Sequence, residues 1–169
     1  MRARSCRGRS KLTSRVGQGY DAHRFAPGRR LVLGGVEIEY PEGLAGHSDA
    51  DVATHALMDA LLGAAGLDDI GALFPDDDPA YAGASSVGLL REVMARVRAA
   101  GWVVGNVDLT IVCERPRLAP HRQAMRACLA GALGVDEDAV GLKATTTEGM
   151  GFEGRGEGIA ASAVCLLER

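Results

Sequence analysis

Strand-like and helix-like segments alternate along the chain from residue 15 onward, and this alternation limits the folds that the sequence can adopt. Short apolar or alternating runs predict strands at 15–25, 31–40, 106–113, 140–146 and 158–167. Apolar residues at helical spacing predict helices at about 49–65, 86–100 and 120–134. The Asp-, Pro- and Gly-rich segment 69–83 predicts a loop. We therefore expect the α/β class, with helices packed on a sheet in a single domain.

Length and charge limit the functions that are open to the chain. A length of 169 residues is that of one domain with room for a core. Residues 1–15 hold six of the 19 basic residues and no acidic one, so the remainder has 13 basic against 22 acidic residues and a net charge of −9. An acidic body argues against a nucleic-acid partner. No apolar run approaches the length of a membrane span, which argues against a membrane protein.

The first residues differ in composition from the rest of the chain. Residues 1–14 are rich in Arg and lack apolar periodicity, which predicts a disordered basic tail before a domain at 15–169. A plastid transit peptide, or a start codon assigned too early, also fits this composition. The four cysteines form no CxxC pair, and Cys113 and Cys165 lie in apolar runs. This favours reduced thiols in a bacterial cytoplasmic protein.

Three side chains have the chemistry and spacing of a metal site. In a strand, residues two apart point to the same face, so Asp21 and His23 can bind one ion together. His55 on the predicted helix supplies a third ligand, and one Asp with two His suits Zn²⁺ with a fourth position open for substrate. Asp51 or Asp59, on the same helix lane, then orients His55. The alternative is a solvated helix face with an incidental histidine.

The turn before the predicted helix 49–65 has the composition of an anion site. His47 and Ser48 stand where free backbone N–H groups at a helix N-terminus suit a phosphate. Ser48 with Asp51 also predicts a capping box, and the two roles are compatible. The carboxylates of 68–78 fit either hydroxyl and metal recognition or a solvated acidic loop, and both interpretations remain open.

Three threonines and a glutamate, at 145–148, end a predicted strand and lead into a glycine-rich stretch. A threonine run is commonly a sign of β-propensity alone. Here hydroxyls and a carboxylate meet glycines that a strand does not need, which suits phosphates and a divalent ion. Taken together, the segments indicate a divalent-metal site for a phosphorylated, polyhydroxylated substrate.

Four segments stand in the order and spacing of one known family. They are Gly-Tyr-Asp-Ala-His at 19–23, Ala-Gly-His-Ser-Asp-Ala-Asp-Val-Ala-Thr-His-Ala at 45–56, Asp-Ile-Gly-Ala-Leu-Phe-Pro-Asp at 69–76, and Lys-Ala-Thr-Thr-Thr-Glu through Gly-Arg-Gly-Glu-Gly-Ile-Ala at 143–160. With these segments the chain resembles the 2-C-methyl-D-erythritol 2,4-cyclodiphosphate synthase family over residues 15–169.

The resemblance assigns roles to individual residues. By similarity, the Zn²⁺ ligands are Asp21, His23 and His55. His47 and Thr146 resemble the pair that stabilises the transition state, and Glu148 resembles the carboxylate that holds Mg²⁺ or Mn²⁺ between the phosphates. The implied contacts to substrate are Ser48, Asp69, Ile70, Gly71, Phe74, Pro75, Asp76, Asp77 and Asp78 on the methylerythritol and phosphate side; Cys113, Glu114, Arg115, Pro116, Arg117, Leu118, Ala119, Thr145 and Thr147 around the cytidine and phosphates, from an adjacent subunit; and Phe152 and Arg155 near a threefold axis.

The resemblance also implies a fold, an assembly and a reaction. The fold is a two-layer sandwich with a mixed sheet backed by helices, assembled as a homotrimer with active sites between subunits. The reaction is cyclisation of 4-diphosphocytidyl-2-C-methyl-D-erythritol 2-phosphate by attack of its 2-phosphate on the β-phosphorus, with release of CMP, in the non-mevalonate isoprenoid pathway. Such an enzyme is a phosphorus–oxygen lyase.

Two alternatives belong to other functional classes. A metallophosphohydrolase with the same zinc site would form a linear product. A non-catalytic trimer would bind an isoprenoid diphosphate in an axial cavity near Phe152 and Arg155.

Overall fold

The computed structural model describes residues 13–75 and 77–169. Its strands are β1 Ser14–Pro27, β2 Leu31–Leu33, β3 Val36–Ile38, β4 Glu42–Leu44, β5 Val103–Val112, β6 Val140–Thr145 and β7 Gly158–Glu168. Its α-helices are α1 Val52–Ala65, α2 Ile70–Leu73, α3 Ser86–Ala99, α4 Arg122–Leu133 and α5 Gly151–Gly154. Short 3₁₀ turns occupy Pro79–Tyr81, Ala119–His121 and Glu137–Ala139.

Five strands form a mixed sheet in the order β4-β1-β7-β5-β6. The β1–β4, β1–β7 and β5–β7 pairs are antiparallel, whereas β5 and β6 run parallel. The parallel pair is connected through α4, as a crossover between parallel strands requires. The predicted α/β class, with a mixed sheet backed by helices, is confirmed.

Helix α1 packs across β1 and β7, and its backbone approaches that of β1 closely. A Cβ atom added to Gly17 would come within 1.9 Å of the Ala60 carbonyl oxygen, and one added to Gly19 within 2.0 Å of the Ala56 carbonyl oxygen. Only glycine leaves room for backbone this close. The two glycines therefore set the distance between β1 and α1, which carry the candidate metal ligands.

The predicted strand 31–40 is wrong as a single element. Strands β2 and β3 pair as an antiparallel hairpin through Gly34 and Gly35, whose φ angles are 55° and 74°. Two consecutive residues with positive φ form the tight turn that suits the twist of a hairpin, and glycine enters it without steric cost. The alternating pattern was correct for each half but extended across the turn.

The predicted cap of the first helix is also wrong. Helix α1 begins at Val52 with Asp51 as its N-cap, and the Asp51 carboxylate accepts from the Thr54 N–H at 3.1 Å. The same carboxylate accepts from the Gly34 and Gly35 N–H groups at 2.8 and 2.7 Å. The fully buried Asp51 therefore ties the hairpin to the helix, and Ser48 is left for another role.

The predicted loop 69–83 is interrupted by α2 and by the 3₁₀ turn Pro79–Tyr81, because Asp69 and Asp78 cap these short elements. Other differences concern the ends of elements. Strand β1 begins at Ser14, and Thr13 and Arg169 exchange backbone hydrogen bonds, so residues 13 and 14 do not belong to a disordered tail. Residues 1–12 lie outside the described residues. Cys113 and Cys165 are buried free thiols, as expected, and burial raises the pKa of each to about 11. Within 13–75 and 77–169, no helix has the length and apolarity to cross a membrane.

The sheet face opposite α1 is open in the single chain. Outward residues of β1 and β7 include Val16, Tyr20 and Val164, with exposed fractions of 70%, 56% and 43%. These residues occupy neighbouring positions, because Gln18 pairs with Val164 between Val16 and Tyr20. Apolar side chains grouped on an open sheet face are typical of a surface that another chain covers.

Candidate metal centre

Asp21 and His23 on β1 meet His55 from α1 at one point. The Oδ2 atom of Asp21 lies 2.8 Å from Nε2 of His23 and 3.1 Å from Nδ1 of His55, and the two imidazole nitrogens are 3.2 Å apart. All three ligand atoms lie within 4.8 Å of one another. The predicted cluster therefore exists, and a single ion can contact all three atoms.

In both histidines, the ring nitrogen that points away from the cluster contacts a protein oxygen, as is common for metal-binding histidines. Nδ1 of His23 donates to the Ala45 carbonyl oxygen at 2.5 Å. Nε2 of His55 lies 2.9 Å from Oγ of Ser86 and 3.1 Å from Oγ of Ser48. Metal-ligating imidazoles commonly bind such groups through the second nitrogen, which fixes the ring. One oxygen and two nitrogen donors with oriented rings fit Zn²⁺.

The groups that orient His55 differ from those predicted. Asp51 caps α1 from its buried position, and the Asp59 carboxylate accepts from the Ile70 N–H at 3.0 Å. The hydroxyls of Ser86 and Ser48 contact His55 instead. Sequence reasoning did not find Ser86, because it lies on α3, 31 residues beyond the histidine.

Electrostatics at the cluster favour an ionised carboxylate. Burial opposes ionisation of Asp21, but His23 and His55, which donate to the carboxylate when their rings are protonated and charged, hold the pKa of Asp21 well below its usual range. The carboxylate is therefore available as an anionic ligand at any physiological pH.

A pocket of about 200 Å³ opens beside the three ligands. It is lined by Asp21, His23, Gly46, His47, Ser48, His55, Met58, Ile70, Gly71, Phe74, Tyr81 and Leu89. Five predicted site residues outside the metal cluster share this pocket with it, namely His47, Ser48, Ile70, Gly71 and Phe74. Tyr81, which was not predicted, also lines the pocket and packs its ring against Phe74. The wall combines apolar side chains with a few polar groups, as small-molecule sites do.

His47 connects the pocket to the 77–83 segment. Its Nε2 donates to the Asp78 carbonyl oxygen at 3.1 Å, and its own carbonyl accepts from the Gly83 N–H at 2.8 Å. With Nε2 engaged, Nδ1 is the ring nitrogen that remains for a ligand, and it donates only when the ring is protonated.

The predicted carboxylates of 69–78 serve first as caps. Asp69 caps α2 by accepting from the Ala72 N–H at 2.9 Å, and Asp78 caps the following 3₁₀ turn by accepting from the Ala80 N–H at 2.9 Å. Pro75 is half-buried and Asp77 is exposed. Asp76 lies outside the described residues.

The predicted nucleotide contacts form a second cluster. The loop 113–119 and the 145–149 segment are joined at Glu114, whose Oε1 accepts from the N–H groups of Thr147 and Gly149, each at 3.2 Å. Thr146 donates through Oγ1 to Oε1 of Glu148 at 2.9 Å. Glu148 has a φ of 54°, a left-handed conformation that is costly outside glycine and tends to occur at functional sites. The predicted contacts Cys113, Arg115, Pro116, Arg117, Leu118, Ala119 and Thr145 lie on these two segments.

The two clusters are separated within one chain. Across the sheet, Ala22 of β1 pairs with Ala160 of β7, Ala160 pairs with Val112 of β5, and Val112 pairs with Thr145 of β6. Three strand spacings amount to roughly 14 Å. Among the described residues, none from 113–119 or 145–155 lines the pocket at the metal ligands. Phe152 on α5 and the exposed Arg155, which pairs with Glu157, also lie outside it.

Known proteins match nearly the whole chain. The YgbB family model matches residues 14–168. The chain belongs to the YgbB family. A 2-C-methyl-D-erythritol 2,4-cyclodiphosphate synthase from Azoarcus sp. (strain BH72) is 60% identical over 159 residues, which are 94% of this chain and 98% of the relative. The family resemblance seen in the four sequence segments is thereby confirmed.

Solved structures agree with this YgbB assignment. The bifunctional IspDF from Campylobacter jejuni matches with a TM-score of 0.90 and 42% identity, over 94% of this chain and 43% of that chain. A 2C-methyl-D-erythritol-2,4-cyclodiphosphate synthase in a CDP-bound form matches with a TM-score of 0.83 and 44% identity, over 90% of this chain and 99% of that chain. Identity at this level makes the match one of sequence as well as fold.

Proposed function

We propose that the chain is a metal-dependent cyclase of isoprenoid precursor synthesis. It converts 4-diphosphocytidyl-2-C-methyl-D-erythritol 2-phosphate to 2-C-methyl-D-erythritol 2,4-cyclodiphosphate and releases CMP. Residues 15–169 form the synthase domain. The observation that carries the proposal is the convergence of Asp21, His23 and His55 beside a pocket of about 200 Å³, in a chain 60% identical to a synthase of this name.

The reacting groups all belong to the substrate, so the protein has to align two phosphates that repel each other. Asp21, His23 and His55 would hold Zn²⁺, and Glu148 would hold Mg²⁺ or Mn²⁺ for the nucleotide phosphates. When bound, the ions supply positive charge that draws the phosphates together and offsets charge developing in the transition state. A serine or cysteine nucleophile is not required for such an internal transfer.

The chain's own donors act on the phosphate oxygens. His47 is anchored through Nε2 on the Asp78 carbonyl oxygen and lines the pocket, and its remaining ring nitrogen, Nδ1, serves the phosphate. The hydroxyl of Thr146, which turns to Glu148 in the single chain, donates to a phosphate once substrate arrives. Donors already aimed at developing negative charge are an effective source of rate enhancement.

The active enzyme is a homotrimer whose sites lie between subunits. A roughly 14 Å separation is too large for Thr145–Glu148 and the zinc ligands of the same chain to contact one pair of phosphates. In a heterologous interface, the phosphate-binding half of each site comes from the neighbouring subunit. Three such interfaces form a closed ring. The exposed Val16, Tyr20 and Val164 supply an apolar face for such an assembly.

Two further properties belong to the proposal. Phe152 and the exposed Arg155, paired to Glu157, supply an apolar ring and a cation for an isoprenoid diphosphate in an axial cavity of the trimer. The buried, unpaired thiols of Cys113 and Cys165 suit the reducing cytoplasm of a bacterium.

The test is product identification by phosphorus NMR. Purified protein is incubated with the cytidyl substrate, Zn²⁺ and Mg²⁺, with the His23→Ala variant as control. We expect the two coupled resonances of a cyclic diphosphate and one equivalent of CMP, in the wild type only. A linear phosphorylated product would instead identify a metallophosphohydrolase.

A further inference from the structure

A buried serine and a neighbouring carboxylate stand behind the His55 ring. Ser86 is fully buried at the first turn of α3, and its Oγ lies 2.9 Å from Nε2 of His55. Asp49 binds this serine twice. Its Oδ2 accepts from the Ser86 N–H at 3.0 Å, and its Oδ1 accepts from the Ser86 hydroxyl at very short range.

The direction of each hydrogen bond in the series Asp49–Ser86–His55 follows from which groups carry a proton to donate. An ionised carboxylate only accepts, so the single hydroxyl proton of Ser86 points to Asp49. The Ser86 oxygen then faces His55 with a lone pair. Two lone pairs at 2.9 Å would repel, so Nε2 of His55 carries a proton and donates to Ser86. In the neutral ring this leaves the free lone pair on Nδ1, the atom beside Asp21 and His23.

We propose that Ser86 and Asp49 are positioning residues that hold His55 in the tautomer and ring orientation needed to bind the metal through Nδ1. They act through His55 and do not contact the substrate phosphates. The Asp49 N–H also donates to the Ala84 carbonyl at 3.0 Å, so the loop before α1 is fastened to the loop before α3. The His55 ring therefore holds its orientation before an ion binds, so less conformational entropy is lost on binding.

Ser48 does not replace this function. Its Oγ lies 3.1 Å from Nε2 of His55 and 3.4 Å from Oγ of Ser86, and the same oxygen accepts from the Ala50 N–H at 3.2 Å. Within 13–75 and 77–169, no carboxylate lies within hydrogen-bonding distance to orient its proton. A hydroxyl that can rotate tolerates either tautomer of the ring, whereas the Asp49-bound Ser86 tolerates one.

The experiment measures zinc affinity and does not depend on turnover. Metal-free wild type, Ser86→Ala and Asp49→Ala proteins compete for Zn²⁺ with a chromophoric chelator at pH 7.5, while melting temperature reports on folding. We expect the dissociation constant to rise about 10–100-fold in both variants, as for other groups that orient metal ligands. Ser85→Ala is the matched control, because Ser85 is exposed and makes no capping hydrogen bond.

A spectroscopic measurement separates positioning from a general structural role. With ¹⁵N-labelled histidine, the metal-free wild type at pH 8 should show His55 protonated at Nε2. Asp49→Ala frees the Ser86 hydroxyl to donate to Nε2, so the variant should gain the tautomer protonated at Nδ1. This readout serves even if Ser86→Ala fails to fold.

Two results would overturn the inference. One is zinc affinity within about twofold of wild type in both variants, against the loss typical of such partners. The other is an unchanged His55 tautomer in Asp49→Ala. The inference rests on the proposed zinc centre, and the experiment distinguishes failure of the two. A wild-type protein that binds no Zn²⁺ would refute the zinc centre itself.

Discussion

Each imidazole of the candidate metal cluster has one nitrogen beside the Asp21 carboxylate and the other on a protein oxygen, so loss of either ring should prevent metal binding without unfolding the chain. We expect His23→Ala and His55→Ala to lose zinc and turnover, since two ligands rarely hold a catalytic ion. Metal analysis, a steady-state assay and melting temperature check this. His121→Ala, at the start of α4, is the control. Full zinc occupancy with normal turnover in either variant would contradict the assignment.

Thr146 and Glu148 bond to each other but should fail in different ways when changed. Thr146→Val removes a donor to a phosphate, which typically costs about 10²–10³ in turnover. Glu148→Gln should lower the affinity for Mg²⁺ and leave the zinc ligands unchanged. Raising Mg²⁺ should therefore partly restore Glu148→Gln and not Thr146→Val. A magnesium titration of both variants decides this, and equal rescue would argue against separate roles.

At the scale of single residues, the sequence predicted that Asp21, His23 and His55 meet and missed the side chains that contact His55 from behind. Asp21 and His23 follow from strand geometry, since residues two apart share a face. Ser86 and Asp49 could not be predicted, because the hydrogen bond between them joins loops 37 residues apart. Conversely, Asp69 looked like a substrate contact, whereas in the single chain it caps a helix.

At the scale of elements, the contact between β1 and α1 brings Asp21 and His23 to His55. Gly19→Ala would place a methyl group against the Ala56 carbonyl, and overpacking of this kind costs about 1–3 kcal/mol of unfolding free energy. Gly63→Ala, on α1 with open space around it, should instead stabilise by about 0.5–1 kcal/mol, because a helix prefers alanine. Denaturant unfolding of both variants measures the two signs. A stable Gly19→Ala protein with normal zinc affinity would contradict the close approach.

Most elements could be predicted from apolar periodicity, and the exceptions have physical causes. The hairpin at 31–38 was missed because alternation continues on both sides of Gly34 and Gly35, where only the paired glycines mark the turn. The cap of α1 was misplaced because Asp51 is held by the hairpin as well as by Thr54. Such tertiary partners are not visible in a local pattern.

At the scale of the whole molecule, a site divided between subunits allows complementation. His55→Ala has an intact phosphate half, and Glu148→Gln has an intact metal half. When both are co-expressed with different tags and purified as mixed trimers, random assembly should give about a quarter of sites with both halves intact. Activity at low Mg²⁺ should then exceed that of either variant alone. Mixed trimers without recovered activity would show that each site is built within one chain.

Residues 1–12 should be dispensable for this assembly. Strand β1 begins at Ser14, and the backbone hydrogen bonds between Thr13 and Arg169 remain after the deletion. We expect turnover, trimer mass by light scattering and melting temperature to match those of the full chain. A monomeric or inactive truncation would contradict this expectation.

The pairing of Thr13 with Arg169 has a consequence for multi-enzyme proteins. The two backbone hydrogen bonds, at 2.9 and 3.0 Å, bring both ends of the described chain together where β1 begins and β7 ends. Eight residues of extended strand separate Thr13 from Asp21, which is roughly 26 Å. The place where Thr13 meets Arg169 is therefore remote from the metal ligands along β1, and a second enzyme attached near it would start away from the pocket.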